Sequence, residues 1–238
     1  MIPAAFETDD GTPVTAVTAD EMREVDRVAV EDVGVGLLTM MENAGRNLAT
    51  HVGPRNPGDV TVLAGNGGNG GGGMACARHL VNHGVPVSVV LDRRPDELDG
   101  AAARQYRIVG AMDVSVGVGP SAFDPGTVVV DALVGYGLEG PLRGTAAALV
   151  EDLDAAPAEV VSLDVPSGLD ATTGEAAGSA VRPGAVVTLA LPKTGLREVD
   201  GRVFLADIGL PSVVFERAGI EYEPPFGREY VVEIEPAR

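Results

Sequence analysis

Five stretches, "DVTVLAG", "PVSVVL", "TVVVDALV", "EVVSLDV" and "GAVVTLAL", are valine-rich and apolar on successive residues. A strand that is apolar on both faces is covered on both, as in a parallel sheet held between helices. Helical periodicity fills the gaps. The pattern predicts strands at 59–64, 86–91, 112–118, 127–133, 159–164 and 185–191, with helices over 74–83, 96–110 and 145–156. "GRVFLADIGLP" adds a late strand. Such alternation implies an α/β fold with a mainly parallel sheet and helices on both of its faces.

Two helices precede the sheet. "TADEMREVDRVAVEDVG" starts with Thr18 and Glu21 in capping-box spacing and carries Met22, Val25, Val28 and Ala29 at helical intervals. "LLTMMENAGRNLATHV" follows and is broken by Pro54 and Pro57. Residues 1–17 show no periodicity and read as an arm, residues 18–222 as one domain, and residues 223–238 as a tail or edge strand.

With 35 acidic residues against 17 basic ones, the net charge of −18 repels phosphate backbones and argues against nucleic-acid binding. Lys193 is the only lysine among the 17 basic residues, and this bias with excess acid leads to the hypothesis of a halophilic protein, suited to concentrated salt. No apolar run reaches the ~18 residues of a membrane span, and no targeting pattern opens the chain, so a cytoplasmic protein without membrane contact is expected. Cys76 has no possible partner within the chain and reads as a buried structural thiol.

"AGNGGNGGGG", residues 64–73, places seven glycines after the first central strand and before a helix. Read as a loop over 65–73, it would present backbone amides and a helix N-terminus to a phosphate; a flexible linker is the alternative. It is not a Walker loop, and Asp92 offers only an irregular dinucleotide fingerprint. Asn69, Asp131, Asp164 and Lys193 each follow a different strand, and ligands of open parallel sheets settle beyond those ends. Carboxylates, the Ser167 hydroxyl and glycine-loop carbonyls are hard oxygen donors suited to an alkali or alkaline-earth ion rather than zinc. His79 and His83 lack a third ligand, His51 lacks a partner, and no G-x-S-x-G elbow occurs.

"MMENAGRNLA", the glycine stretch followed by "ARHL", "DALVGYGLEGPLRG", "SLDVPSGLD", "LPKTG" and "ADIGLP" occur in that order between residues 40 and 211. In these motifs the chain resembles the YjeF N-terminal domain, the NAD(P)H-hydrate epimerase family. The resemblance implies a Rossmann-like three-layer αβα sandwich, a homodimer, and interconversion of the R and S forms of hydrated NADH or NADPH (NADHX and NADPHX). It further implies a separate dehydratase as functional companion and a potassium ion held by Asn69, Asp131 and Ser167. The nucleotide-binding segments would be Gly68, Asn69, Gly70, Gly71 and Gly72, and Gly135, Tyr136, Gly137, Leu138, Glu139, Gly140 and Pro141. Asp164 would contact the substrate and transfer protons, with Lys193 beside it. The chain departs from the family pattern at Gly68 and Gly72, where asparagine and aspartate are usual. A catalytically degenerate nucleotide-binding or dimeric scaffold module therefore stays open as an alternative.

Overall fold

In the computed structural model, which describes residues 5–55 and 57–237, ten strands build one sheet. The chain enters it through β1 (Phe6–Thr8) and β2 (Pro13–Val14), then runs through α1 (Ala19–Arg27), a π-helical turn at Val28–Val33, and α2 (Leu37–Val52). Next come β3 (Val60–Ala64), α3 (Gly68–Asn82), β4 (Val87–Leu91), α4 (Gly100–Val109) and β5 (Ser115–Val118). The second half holds β6 (Val128–Ala132), α5 (Gly144–Asp154), β7 (Glu159–Leu163), β8 (Ala185–Leu189), β9 (Arg202–Ala206), α6 (Ser212–Arg217) and β10 (Val231–Pro236).

The sheet order is β2-β1-β10-β9-β8-β7-β6-β3-β4-β5. Every pair from β9 across to β5 is parallel. Counted from β3, the parallel part reads third, second, first, fourth, fifth, sixth, seventh, the order of a doubly wound sheet whose ligand crevice opens where the progression reverses. That reversal lies between β3 and β6.

Side-chain alternation divides the core. Val62, Ala64, Val130, Ala132 and Leu163 face α2, α3 and α4, where they meet Leu48, Val52, Met74, Leu80 and Ala102. Leu63, Val90 and Val129 point the other way onto Leu149, Val150 and Leu153 of α5. Each fully buried Val or Leu contributes about 1.5–3 kcal/mol, so both helical layers are anchored by the same strands. The expected α/β fold with helices on both faces of a mainly parallel sheet is the one observed.

Three expectations are corrected. Residues 6–8 and 13–14, expected within an arm, form a hairpin on β10; strands of three and two residues are too short for a readable alternation. β10 is an interior strand rather than an edge, because β1 covers it and a two-residue strand containing Pro13 forms the outer border. The glycine loop is shorter than expected, since α3 starts at Gly68 and takes in Gly70, Gly71, Gly72 and Gly73. These glycines serve close packing. A β-carbon would stand 1.7 Å from the Gly65 carbonyl oxygen at Gly70, 2.8 Å from Met41 Sδ at Gly71, 2.8 Å from Leu163 Cδ2 at Gly72, and 2.5 Å from Ala132 Cβ at Gly73. The rigid neighbours at Gly70 and Gly73, a backbone carbonyl and an alanine β-carbon, leave no room for a side chain, whereas Gly71 and Gly72 face the movable ends of Met41 and Leu163.

Candidate functional site

A cavity of about 520 Å³ opens at the carboxyl ends of the parallel strands. Its walls come from α1, α2, the start of α3, the segment after β6, and the residues that follow β7 and β8. The topology predicts a crevice at this point, and the side chains that follow the strands supply its chemistry.

Asp164 follows β7 with φ of 68°, a left-handed conformation unusual for a residue with a side chain. A tight turn holds it there: the Val165 amide donates to the Leu163 carbonyl at 2.9 Å, and the Asp164 amide donates to Val187 at 2.8 Å. Strain of this kind persists where the surroundings over-determine it, and here it aims the carboxylate at the cavity. Lys193, completely buried, donates through Nζ to Asp164 Oδ1 and, at 3.0 Å, to the Leu189 carbonyl. Oδ1 also accepts from the Leu189 amide at 3.3 Å, while Oδ2 accepts from the Tyr136 amide at 3.3 Å. The carboxylate is thus held on one oxygen by a cation and presents the other toward Tyr136.

Lys193 is itself fixed from the N-terminal side. The Val17 amide donates to the Pro192 carbonyl, and the Thr194 amide donates to the Val17 carbonyl, each at 2.9 Å. Two residues later α1 begins, its capping box formed as expected: Glu21 N–H reaches Thr18 Oγ1 at 3.3 Å, and Thr18 N–H reaches Glu21 Oε2 at 2.7 Å. Helix α1 is therefore positioned directly against Lys193. From it Met22, Arg23 and Asp26 line the cavity, and Asp26 accepts a hydrogen bond from the Tyr136 hydroxyl. Burial pushes the Asp26 carboxyl up, opposed by the Tyr136 hydrogen bond and the Lys193 charge. Burial, reinforced by Asp26, pushes the Tyr136 phenol above its usual range.

Asn69 lies in the first turn of α3, and its amide donates to the Leu163 carbonyl at 2.9 Å. Its Oδ1 stands beside Gly135, where a β-carbon would be 2.8 Å from it and 3.0 Å from Asp164 Oδ2. Asp131 and Ser167 lie beneath, both fully buried. Ser167 donates through its hydroxyl to Asp131 Oδ1 at 2.5 Å and through its amide to Oδ2 at 2.9 Å, while the Ser162 hydroxyl donates to Oδ2 at 2.7 Å. Ser167 Oγ also accepts from the Val134 amide at 3.0 Å, which ties this buried layer to the Gly135 segment. Burial drives the Asp131 carboxyl upward, and the serine hydrogen bonds pull it back. Among the described residues no lysine or arginine pairs with it.

Asn69, Gly68, Gly135, Tyr136, Gly137, Asp164 and Lys193 thus converge on one cavity, with Asp131 and Ser167 behind it. Gly70, Gly71 and Gly72 are packed inside α3 contacts, so only the amides at its start face the opening. Leu138, Glu139, Gly140 and Pro141 run beyond the cavity wall, with Glu139 3.8 Å from Arg23. Asp92 is occupied by Arg93, which contacts both its oxygens at 2.9 Å and lines the cavity rim. His79 pairs with Glu42 at 2.8 Å, His51 packs on Phe204, and burial raises the Cys76 thiol well above its usual value. Among the described residues no cluster of three or more His, Cys, Asp or Glu could hold a metal, and no helix is long and apolar enough to cross a membrane.

Asp26 escaped the sequence reading. Its signal was present: it stands four residues after Met22, so a carboxylate shares the buried stripe of an amphipathic helix.

Residues 37–195 match the model of the YjeF-related protein N-terminus. A protein of Dehalogenimonas lykanthroporepellens called NAD(P)H-hydrate epimerase is 43% identical over 238 residues, covering 96% of each chain. The chain belongs to the YjeF-related N-terminus family. An NAD(P)H-hydrate epimerase of Rhodopirellula baltica is 35% identical, covering 82% of this chain and 84% of that one. The bifunctional NAD(P)H-hydrate repair enzyme Nnr of Salinibacter ruber is 39% identical over 85% of this chain, which spans 42% of its length. A crystal structure of yeast ynu0 superposes with a TM-score of 0.81, covering 92% of this chain and all of the yeast one at 24% identity, and so shares the YjeF-related fold.

Proposed function

We propose that the chain interconverts the R and S epimers of hydrated NADH and NADPH. The observation that carries this reading is the buried Asp164–Lys193 pair at the floor of the cavity. Relatives of nearly the same length named NAD(P)H-hydrate epimerase support it.

Inverting a carbon that bears a hydroxyl next to a ring nitrogen requires that hydroxyl to leave and return, or the ring to open. Both routes need a proton given and taken at a fixed place. Asp164 does this: Lys193 and the Leu189 amide hold Oδ1, and Oδ2 is directed to the cavity beside the Tyr136 amide. The amides at the start of α3 and the Gly135 and Gly137 backbone leave room for the nucleotide's phosphates and ribose to approach.

Asn69, Asp131 and Ser167 are the residues that would hold a potassium ion. All three offer hard oxygens, and Asp131 is a fully buried carboxylate whose contacts among the described residues are neutral hydroxyls and amides. When bound, potassium supplies the positive charge this carboxylate lacks. The same reading includes a cytoplasmic homodimer working beside a separate dehydratase; the bifunctional relatives, less than half of whose length this chain spans, support the pairing.

Incubation with the pure S epimer of hydrated NADH, followed chromatographically, tests the proposal. Formation of the R epimer well above the spontaneous rate, lost in Asp164→Asn, is the expected result. No acceleration over the spontaneous rate would remove it.

A further inference from the structure

Asp164 is not the only carboxyl group facing this cavity. Asp26 looks into it from α1, and Tyr136 links the two: its amide touches Asp164 Oδ2, its ring lies 5.6 Å from Lys193 Nζ, and its hydroxyl donates to Asp26 Oδ2. The two carboxyls thus meet opposite ends of one residue, Asp164 its backbone amide and Asp26 its hydroxyl.

Stereochemistry makes this arrangement significant. If a hydroxyl departs from one face of a planar ring and water adds to the other, one carboxyl on one side cannot serve both events, because proton transfer requires hydrogen-bond contact with the reacting oxygen. We propose that Asp26 is the second acid–base residue of the site, protonating the departing hydroxyl on one ring face while Asp164 receives the proton of the incoming water on the other. The inference rests on the epimerase reading above.

The step balances. The Asp26 carboxyl gives its proton to the hydroxyl oxygen, the C–O bond breaks, water leaves, and the ring-nitrogen lone pair forms a C=N bond. Water then adds to the same carbon from the opposite face, the C=N pair returns to nitrogen, and the water's proton passes to Asp164. The reverse epimerisation exchanges the two roles, and solvent resets the pair.

The surroundings divide the two groups accordingly. Asp164 is in an ion pair with Lys193, whereas no lysine or arginine is paired with Asp26 among the described residues. The charged and titratable groups facing Asp26 are Tyr136 after β6, Asp164 after β7, Lys193 after β8, and Arg23 on its own helix. Burial is the largest of the influences on Asp26 and favours its neutral, proton-donating form. Two carboxyls in unlike environments are a common basis for separate acid and base roles.

The test is the pH dependence of epimerisation in wild type, Asp26→Asn, Asp26→Glu and Tyr136→Phe, with thermal unfolding as a check on folding. Asp26→Asn should lose roughly 10²-fold or more in kcat together with the alkaline limb of the profile, and Asp26→Glu should restore much of both. Tyr136→Phe removes a hydrogen bond that favours the ionised Asp26, so the alkaline limb should move to higher pH. An Asp26→Asn enzyme at the wild-type rate, or a slow one that keeps the alkaline limb, overturns the inference and leaves the epimerase reading standing. A wild-type protein that does not accelerate epimerisation overturns both.

Discussion

Replacing Gly135 with alanine tests whether Asn69 and Asp164 act on the same point. The added carbon would sit 2.8 Å from Asn69 Oδ1 and 3.0 Å from Asp164 Oδ2. Each oxygen must withdraw by roughly half an ångström to reach ordinary contact. Neither is free to do so without loss, because the Asn69 amide is tied to the Leu163 carbonyl at 2.9 Å and Asp164 is held by Lys193 and the Leu189 amide. Gly135 does not have positive φ, so the effect is one of space rather than backbone strain. Displacements on this scale cost roughly ten- to a hundredfold in rate. Crowding two side chains costs about 1–3 kcal/mol of stability, a fall of about 2–12 °C in Tm for a chain of this size. Epimerisation rates measured at 25 °C, well below either midpoint, separate the two effects. Wild-type kcat in Gly135→Ala would refute the claim that these side chains must converge.

Three further outcomes are expected. Lys193→Met leaves Asp164 buried without its cation and should destabilise the protein by about 3–5 kcal/mol, measured by urea unfolding, while Asp164→Asn/Lys193→Met should recover part of that loss. Burial, aided by Arg55 and Arg202, lowers the His51 imidazole from 6.5 to about 4, so the unfolded chain binds the extra proton first as pH falls. Stability should therefore be full above pH 6.5 and decline towards pH 4, by at most about 3 kcal/mol and by less for the partly open ring, with the decline reduced in His51→Phe. Potassium chloride should raise the unfolding midpoint more than choline chloride of equal ionic strength, an excess absent in Asp131→Asn, and molar concentrations of either salt should stabilise a chain of net charge −18.

The parallel core was legible because its physics is local: strands covered on both faces must be apolar at every residue, and β3, β4, β6, β7 and β8 stand within a residue or two of the runs that predict them. The strand ends carrying Asp131, Asp164 and Lys193 followed from the same pattern. The start of α3 was hidden because glycine is a poor helix former, and the reason for glycine at Gly70–Gly73 is the nearness of Gly65 just before the helix and of Met41, Leu163 and Ala132 on other elements. β1 and β2 were too short to show a period, and the place of β1 beside β10 depends on pairing across more than 220 residues. Asn43 and Asn47 of "MMENAGRNLA" also gained meaning only in three dimensions, where they donate to the carbonyls of Ile208 and Asp207 and hold "ADIGLP" against α2.

The most direct measurement is a crystal structure of the protein with a hydrated nicotinamide nucleotide bound. The account predicts the nucleotide's hydroxyl oxygen within hydrogen-bond reach of Asp164 Oδ2 or Asp26, its ring between these two carboxyls, and the diphosphate against Gly67 and Gly68. A nucleotide bound away from this cavity, or with its ring remote from Asp164, would contradict it.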